Sequence, residues 1–182
     1  IIKAEDLLAT FVVLYGPTIT MIIMLRLTDG DQVYDFVFDE KAKTFIPIQR
    51  GSKETSLIEM KHKGSELAIY GRYANWPEAL KRFMESETYQ SKKKVRISES
   101  SADLYEMLIN SGLIAVPLTR PEALMWGSVM EAALGRSLTM TEEGPVSTQE
   151  IVLGEGSFDT TEQFYAYFGN PEEMIRLGQV LR

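Results

Sequence analysis

The sequence contains no cysteine, and this removes a disulfide framework, a thiolate nucleophile and any cysteine-based zinc site. It contains a single histidine, His62, so two-histidine metal sites are excluded by count. His62 lies in a Lys61-His62-Lys63 run, where neighbouring positive charge opposes imidazole protonation and no acid or nucleophile adjoins it. A solvated loop histidine is the expectation. No G-x-S-x-G elbow places a serine for a hydrolytic triad. Gly154-Glu155-Gly156-Ser157 lacks both the third glycine of a dinucleotide fingerprint and the Gly-Lys-Ser/Thr of a P-loop, and Glu155 would repel phosphate. It reads as a plain connection, and no cofactor is expected.

Charge is missing from two places. From Leu7 to Leu25 no residue is charged. A neutral stretch of this length invites a membrane reading, but Gly16-Pro17 breaks it at the centre. We expect a short helix over Ala4 to Leu14 followed by a strand, no membrane span, and by default a soluble intracellular, cytoplasmic protein. Lysine is absent after Lys94. Residues 1–96 carry 15 Lys and Arg against 13 Asp and Glu, whereas residues 97–182 carry 4 against 13, so the two parts have net charges of +2 and −9. An acidic half of this kind repels a phosphate backbone and attracts basic protein surfaces.

What is present in quantity is apolar residue, 45% of 182, which is enough for a core and rules out a disordered chain. Apolar alternation over Ile19 to Leu27 and over Val33 to Phe38, with Asp29-Gly30-Asp31 between, predicts a hairpin whose turn uses glycine at positive φ. A third strand follows over Thr44 to Gln49, and Pro47, which has no backbone donor, predicts that it lies at an edge. Thr55 to Lys61 and Glu66 to Gly71 extend the same sheet to about five strands.

Beyond Asn75 the period changes to that of helices. Helices are expected from Asn75 to about Tyr89 and from Ser100 or Ser101 to Gly112. The next runs from Thr119 to Gly135, with Thr119 and Glu122 in a capping box. Short strands are expected over Leu138 to Thr141 and Glu150 to Leu153. A short helix carrying Phe164, Tyr165 and Phe168 is expected after Asp159 and Glu162, and a last one after Asn170. Strands first and helices afterwards predict a single α+β domain, sheet-rich over 1–74 and helix-rich over 75–182, with a mostly antiparallel sheet covered by helices from the C-terminal half.

Three functions are compatible with these residues. The first is a non-catalytic protein-binding or assembly component, an adaptor or self-associating oligomer whose acidic, aromatic surface presents Trp126, Met130, Phe164, Tyr165 and Phe168. The second is a nucleic-acid-binding module in which Lys61, Lys63, Arg72, Trp76, Lys92, Lys93, Lys94 and Arg96 hold a backbone and stack bases. The third is a carboxylate or metal-dependent hydrolase using Asp29 and Asp31. The acidic stretch departs from the EF-hand pattern at Val33 and Tyr34, and Asp35 and Asp39, four apart on a strand, stand about 13 Å from each other. The absence of a catalytic constellation favours the first reading, a protein that is not an enzyme, with another protein or its own copy as partner.

Overall fold

The structure, a computed structural model, describes residues 1–49, 57–64, 66–86, 94–98, 102–141, 144–155, 157 and 161–181, the side chains of 94–98, 140, 141 and 144 excepted. It is α+β, as the order of elements predicts, but it contains two sheets where one was expected. The first sheet is a purely antiparallel meander of β1 (Ala9–Leu14), β2 (Thr20–Leu25), β3 (Gln32–Asp39) and β4 (Thr44–Pro47). Gly30 takes φ 124° in the β2–β3 turn, and β4 with Pro47 is an edge strand.

The expected helix over Ala4 to Leu14 is corrected. Only Ala4–Asp6 forms a 3-10 turn, and β1 pairs with β2 through Phe11–Ile23 and Val12–Ile22. The chain cannot stay helical through Gly16-Pro17, and the β2 edge offers Ala9 to Leu14 a full ladder of partners.

The second sheet is mixed and runs β6-β5-β7-β10-β8-β9 in space, with β5 (Glu66–Tyr70), β6 (Lys94–Ser98), β7 (Leu113–Leu118), β8 (Arg136–Thr141), β9 (Gly144–Val146) and β10 (Phe164–Gly169). The strand at Glu66 does not extend the first sheet. It lies between β6 and β7, parallel to both. Leu57 reaches β3 only through an isolated bridge to Tyr34, and residues 55 and 56 of the strand expected there lie outside the described residues. The helix expected around Phe164 to Phe168 is instead β10, antiparallel to β7 and β8. Both of its faces are apolar and both are covered by helices, as a central strand requires.

Four helices complete the fold: α1 (Glu78–Glu85), α2 (Ala102–Asn110), α3 (Arg120–Ala132) and α4 (Pro171–Leu181). Leu80 and Phe83 of α1 join Met174, Leu177 and Leu181 of α4 on Leu67, Ile69, Leu113, Ala115 and Tyr167, which form one face of the mixed sheet. On its other face Leu104, Met107 and Leu108 of α2 and Trp126, Val129 and Met130 of α3 pack with Ala68, Ile114, Val116, Ala166 and Phe168. That same cluster takes in Val12, Ile22, Met24 and Val33 of the meander. The layers are therefore α1 with α4, mixed sheet, α2 with α3, then meander. A buried side chain links the last two, because Tyr105 Oη donates to Asp35 Oδ2 at 3.0 Å from α2 to β3. No helix among the described residues is long and apolar enough to cross a membrane.

Candidate functional site

The mixed sheet has one place where its topology opens a crevice. β5 and β7 are parallel neighbours in the register Leu67–Leu113, Ala68–Ile114, Ile69–Ala115. The chain leaving β5 goes to α1 on one face, and the chain leaving β7 goes to α3 on the other. Two connections that diverge from adjacent carboxyl ends leave a gap between them, the switch point at which open α/β sheets bind ligands.

Gly71 makes the exit from β5 with φ 78°, a left-handed conformation that costs other residues about 1–2 kcal/mol. The connection then carries Arg72, Tyr73 and Trp76. Trp76 Nε1 donates to the carbonyls of Tyr70 at 3.1 Å and Gly71 at 3.2 Å, and Tyr165 Oη, reaching from β10, donates to the same Tyr70 carbonyl at 3.3 Å. These bonds fix an aromatic rim at the end of β5. Tyr73 stacks obliquely on Trp76 with ring centroids 5.2 Å apart and donates to Glu85 at 2.6 Å, while the Lys81 ammonium lies 5.7 Å from its ring centre. The Glu85 hydrogen bond, with some desolvation, raises the Tyr73 phenol above its ordinary value. Burial chiefly, with Tyr70 beside it, raises that of Tyr165. Both phenols are hydrogen-bond donors at neutral pH.

On the β7 side, Thr119 caps α3. Its backbone N–H and its hydroxyl donate to Glu122 Oε2, at 2.9 and 2.8 Å. Both bonds fall on one oxygen, so Glu122 Oε1 is unengaged among the described residues and the carboxylate is exposed. Arg120 on this connection and Arg72 on the other are exposed, and neither guanidinium has a hydrogen bond or ion pair among the described residues. The crevice thus brings two unpaired guanidinium groups, one half-used carboxylate and a fixed aromatic rim to one end of the sheet. That set suits an anionic, hydroxylated ligand.

Two shallow depressions lie elsewhere. One, of about 380 Å³, is lined by Lys3, Glu5, Gln149, Glu150 and Val152. The other, of about 420 Å³, lies at the amino end of β8 beside Glu131, Arg136, Ser137, Ser147 and Met174. Glu131 accepts from Ser137 at 2.5 Å and Ser147 at 3.3 Å, and Thr148 donates to Ser137 in turn. Burial raises the Glu131 carboxyl above its ordinary value against the opposing pull of those hydroxyls and Arg136. This chain of hydroxyls ties α3 to β8 and the turn at Thr148, where Gly127 leaves no room for a Cβ beside Thr148. Its groups are spent on one another.

The residues expected to form a protein-binding surface are placed otherwise. Trp126, Met130 and Phe168 are buried in the core, and Phe164 and Tyr165 are half-buried on β10. An aromatic run that alternates across a covered sheet has both faces occupied.

The eight expected nucleic-acid contacts do not form one patch among the described residues. Lys61 and Lys63 lead into the amino end of β5 beside Lys94, whereas Arg72 and Trp76 follow its carboxyl end, about 13 Å away. Arg96 lies mid-strand on β6, and Lys92 and Lys93 lie outside the described residues. Lys63 is bonded to Glu172 at 3.3 Å. Desolvation of Glu172 is outweighed there by Lys63, Arg176 and His62, and its carboxyl titrates below the ordinary range.

Among the expected metal carboxylates, Asp31 is paired with Arg26 at 3.2 Å, Asp35 points inward, and Asp39 accepts from the backbone of Lys41 and Ala42. No group of three His, Asp or Glu side chains suited to hold a metal ion exists among the described residues. Sequence reasoning missed Arg120 as a site residue and took Glu122 for a cap only. The signal that unites them with Arg72 is strand pairing, which has no local signature.

No family model matches the sequence, and no curated protein does so. The fold is similar to that of a crystal structure, a "Putative Sedoheptulose-1,7 bisphosphatase" from Toxoplasma gondii, with a TM-score of 0.72 and 16% identity. The likeness covers 98% of this chain but only 57% of the Toxoplasma chain. At this identity it is the fold that is shared. It corrects the expected non-catalytic assembly or adaptor role, and the expectation that the chain is not an enzyme, because the architecture is one on which a protein named as a phosphatase is built.

Proposed function

We propose that this chain is the substrate-holding part of a phosphate-ester hydrolase acting on a phosphorylated sugar or similar polyol. The observation that carries the reading is the pair of unpaired guanidinium groups, Arg72 and Arg120, on the two connections that diverge at the switch point. An arginine presents a planar fork of donors to phosphate oxygens and stays charged at every relevant pH. The rim of Tyr70, Tyr73 and Trp76 offers aromatic faces and phenol donors to a polyol, which has both C–H and O–H faces. The shared fold with a protein named as a sugar bisphosphatase supports this choice of ligand class.

Hydrolysis requires a water oxygen to attack phosphorus, the phosphorus–oxygen ester bond to break, and the departing alcohol oxygen to gain a proton. Glu122 Oε1, held by its cap bonds, is the carboxylate oxygen of this chain suited to accept the proton of that water. A divalent cation at such a centre needs several oxygen donors converging on it. The described residues do not form such a set, so the cation and its remaining ligands are not assigned to this chain. The role we assign to Arg72, Arg120 and the rim is to bind and orient the ester.

Titration with fructose 6-phosphate, followed by backbone amide NMR, tests the reading. Saturable shifts confined to residues 70–76 and 119–122 are expected, with affinity falling about tenfold in Arg72→Ala and in Arg120→Ala. No shift at about 10 mM ligand, or shifts that ignore both arginines, would refute it.

A further inference from the structure

The first sheet has an apolar face with nothing on it. Its inward residues, Thr10, Val12, Ile22, Met24, Val33 and Asp35, are buried under α3 and α2. Its outward residues follow from the register: Phe11, Ile23 and Tyr34 share one row, and Val13, Met21, Phe36 and Pro47 the next. Leu25 flanks the first row, while Phe38 and Phe45, edge to face at 5.3 Å, flank the second. No outward position in these rows is charged. Phe11 is 60% exposed and Val13 39%.

An amphipathic strand normally turns its polar side to water. Here the outward rows are at least as apolar as the inward ones, which carry Asp35 and two threonines. Four strands at about 4.8 Å and five residues at about 3.3 Å make a face of roughly 19 by 17 Å, within the range at which an uncovered apolar patch marks an interaction site.

We infer that this face is covered by a pair of amphipathic α-helices from polypeptide outside these 182 residues. Three observations choose that occupant. Both faces of the mixed sheet, and the inner face of this one, are already covered by helices. Two helices side by side at about 8–10 Å match the width of the face. The Toxoplasma structure, which shares the fold across 98% of this chain, has 43% of its own length (100 − 57) without counterpart here, so the fold is built elsewhere with substantial further polypeptide. A lipid surface fits less well. The turns bordering the face carry Asp29, Asp31, Asp39 and Glu40 against Lys41 and Lys43, and acidic borders repel anionic headgroups. The inference rests on the fold and stands apart from the ligand reading above, whose crevice lies at the end of the other sheet.

The test places the photo-crosslinking residue p-benzoylphenylalanine at Phe11 or at Phe36 in the protein made in its native cells, with the adducts sequenced by mass spectrometry. Adducts from both positions should map to segments outside residues 1–182 with apolar residues at helical i, i+3, i+4 spacing. Phe36→Lys in a second experiment should lower adduct yield from position 11 by tenfold or more. Adducts on β1–β4 of a second copy, adducts on lipid, or no adduct from either position would overturn the inference. Should Phe36→Lys fail to accumulate, Ile23→Thr, which keeps a β-branched side chain, replaces it with the same expectation.

Discussion

Replacing Tyr105 by phenylalanine deletes one oxygen and with it the hydrogen bond that joins α2 to the meander. Tyr105 Oη donates at 3.0 Å to Asp35 Oδ2, and Asp35 is fully buried on β3. Water cannot replace the lost donor without opening the layer between the helices and the sheet. A buried acceptor deprived of a partner costs about 1–3 kcal/mol, and we take about 2 kcal/mol as the central value. The ring itself is kept, so packing against the core cluster contributes little to the change. For a chain of this length, about 2–4 °C of Tm accompanies each kcal/mol, so the variant should melt roughly 4–8 °C lower. Urea unfolding should give the same loss with an unchanged m value. The companion Asp35→Asn and the double variant complete a cycle whose coupling term isolates the pair from the other interactions both residues make. A loss and a coupling both below about 0.5 kcal/mol would refute the idea that this bond fastens the two layers.

Two other perturbations probe the opposite end of the molecule. Gly64→Ala would put a Cβ 1.8 Å from the backbone carbonyl oxygen of Ser111, whose hydroxyl accepts from Lys61 N and whose carbonyl accepts from Asn170. With backbone on both sides of the clash, a loss of about 1–3 kcal/mol is expected by denaturant unfolding, and an unchanged midpoint would refute the close approach. Glu131→Gln keeps an acceptor for Ser137 while removing the buried ionisation. Because burial raises the Glu131 carboxyl in the fold, wild-type stability from this group is greatest below its ordinary value of 4.5 and is lost as pH rises through the raised folded value. The glutamine variant should therefore gain on wild type as pH climbs from 4 to 7, measured as the difference in unfolding free energy; a difference that falls with pH would contradict the assigned cause.

The parts of the fold legible in the sequence are those fixed by short-range chemistry. Asp29-Gly30-Asp31 between alternating strands determines the β2–β3 hairpin, Pro47 marks an edge, and Thr119 with Glu122 starts a helix. The misread segments share one physical property, the absence of a period. Phe164 to Gly169 is apolar on both faces because helices cover both, so alternation disappears and Glu162 upstream imitates a helix start. Ala9 to Leu14 loses alternation for the complementary reason: its outward residues, Phe11 and Val13, are as apolar as its inward ones. The crevice was illegible because it exists only once Glu66–Tyr70 lies beside Leu113–Leu118, and nothing local announces that pairing.

The charge split illustrates how composition and placement diverge. Thirteen acidic residues against four basic ones in residues 97–182 suggest a surface built to meet a basic partner. In the fold several of those acids have local tasks: Glu122 caps α3, Glu131 accepts from two serines, Glu173 is buried at the start of α4, and Glu172 is held by Lys63 and Arg176. An acid engaged in this way adds to net charge without being available to a partner. The broad unsatisfied surface lies in the other half, where the sequence is nearly neutral and where Phe11, Ile23 and Phe36 face outward from the meander. For this chain, strand register therefore locates the unfinished interface better than net charge does, because register states which residues share a face and charge states only how many there are.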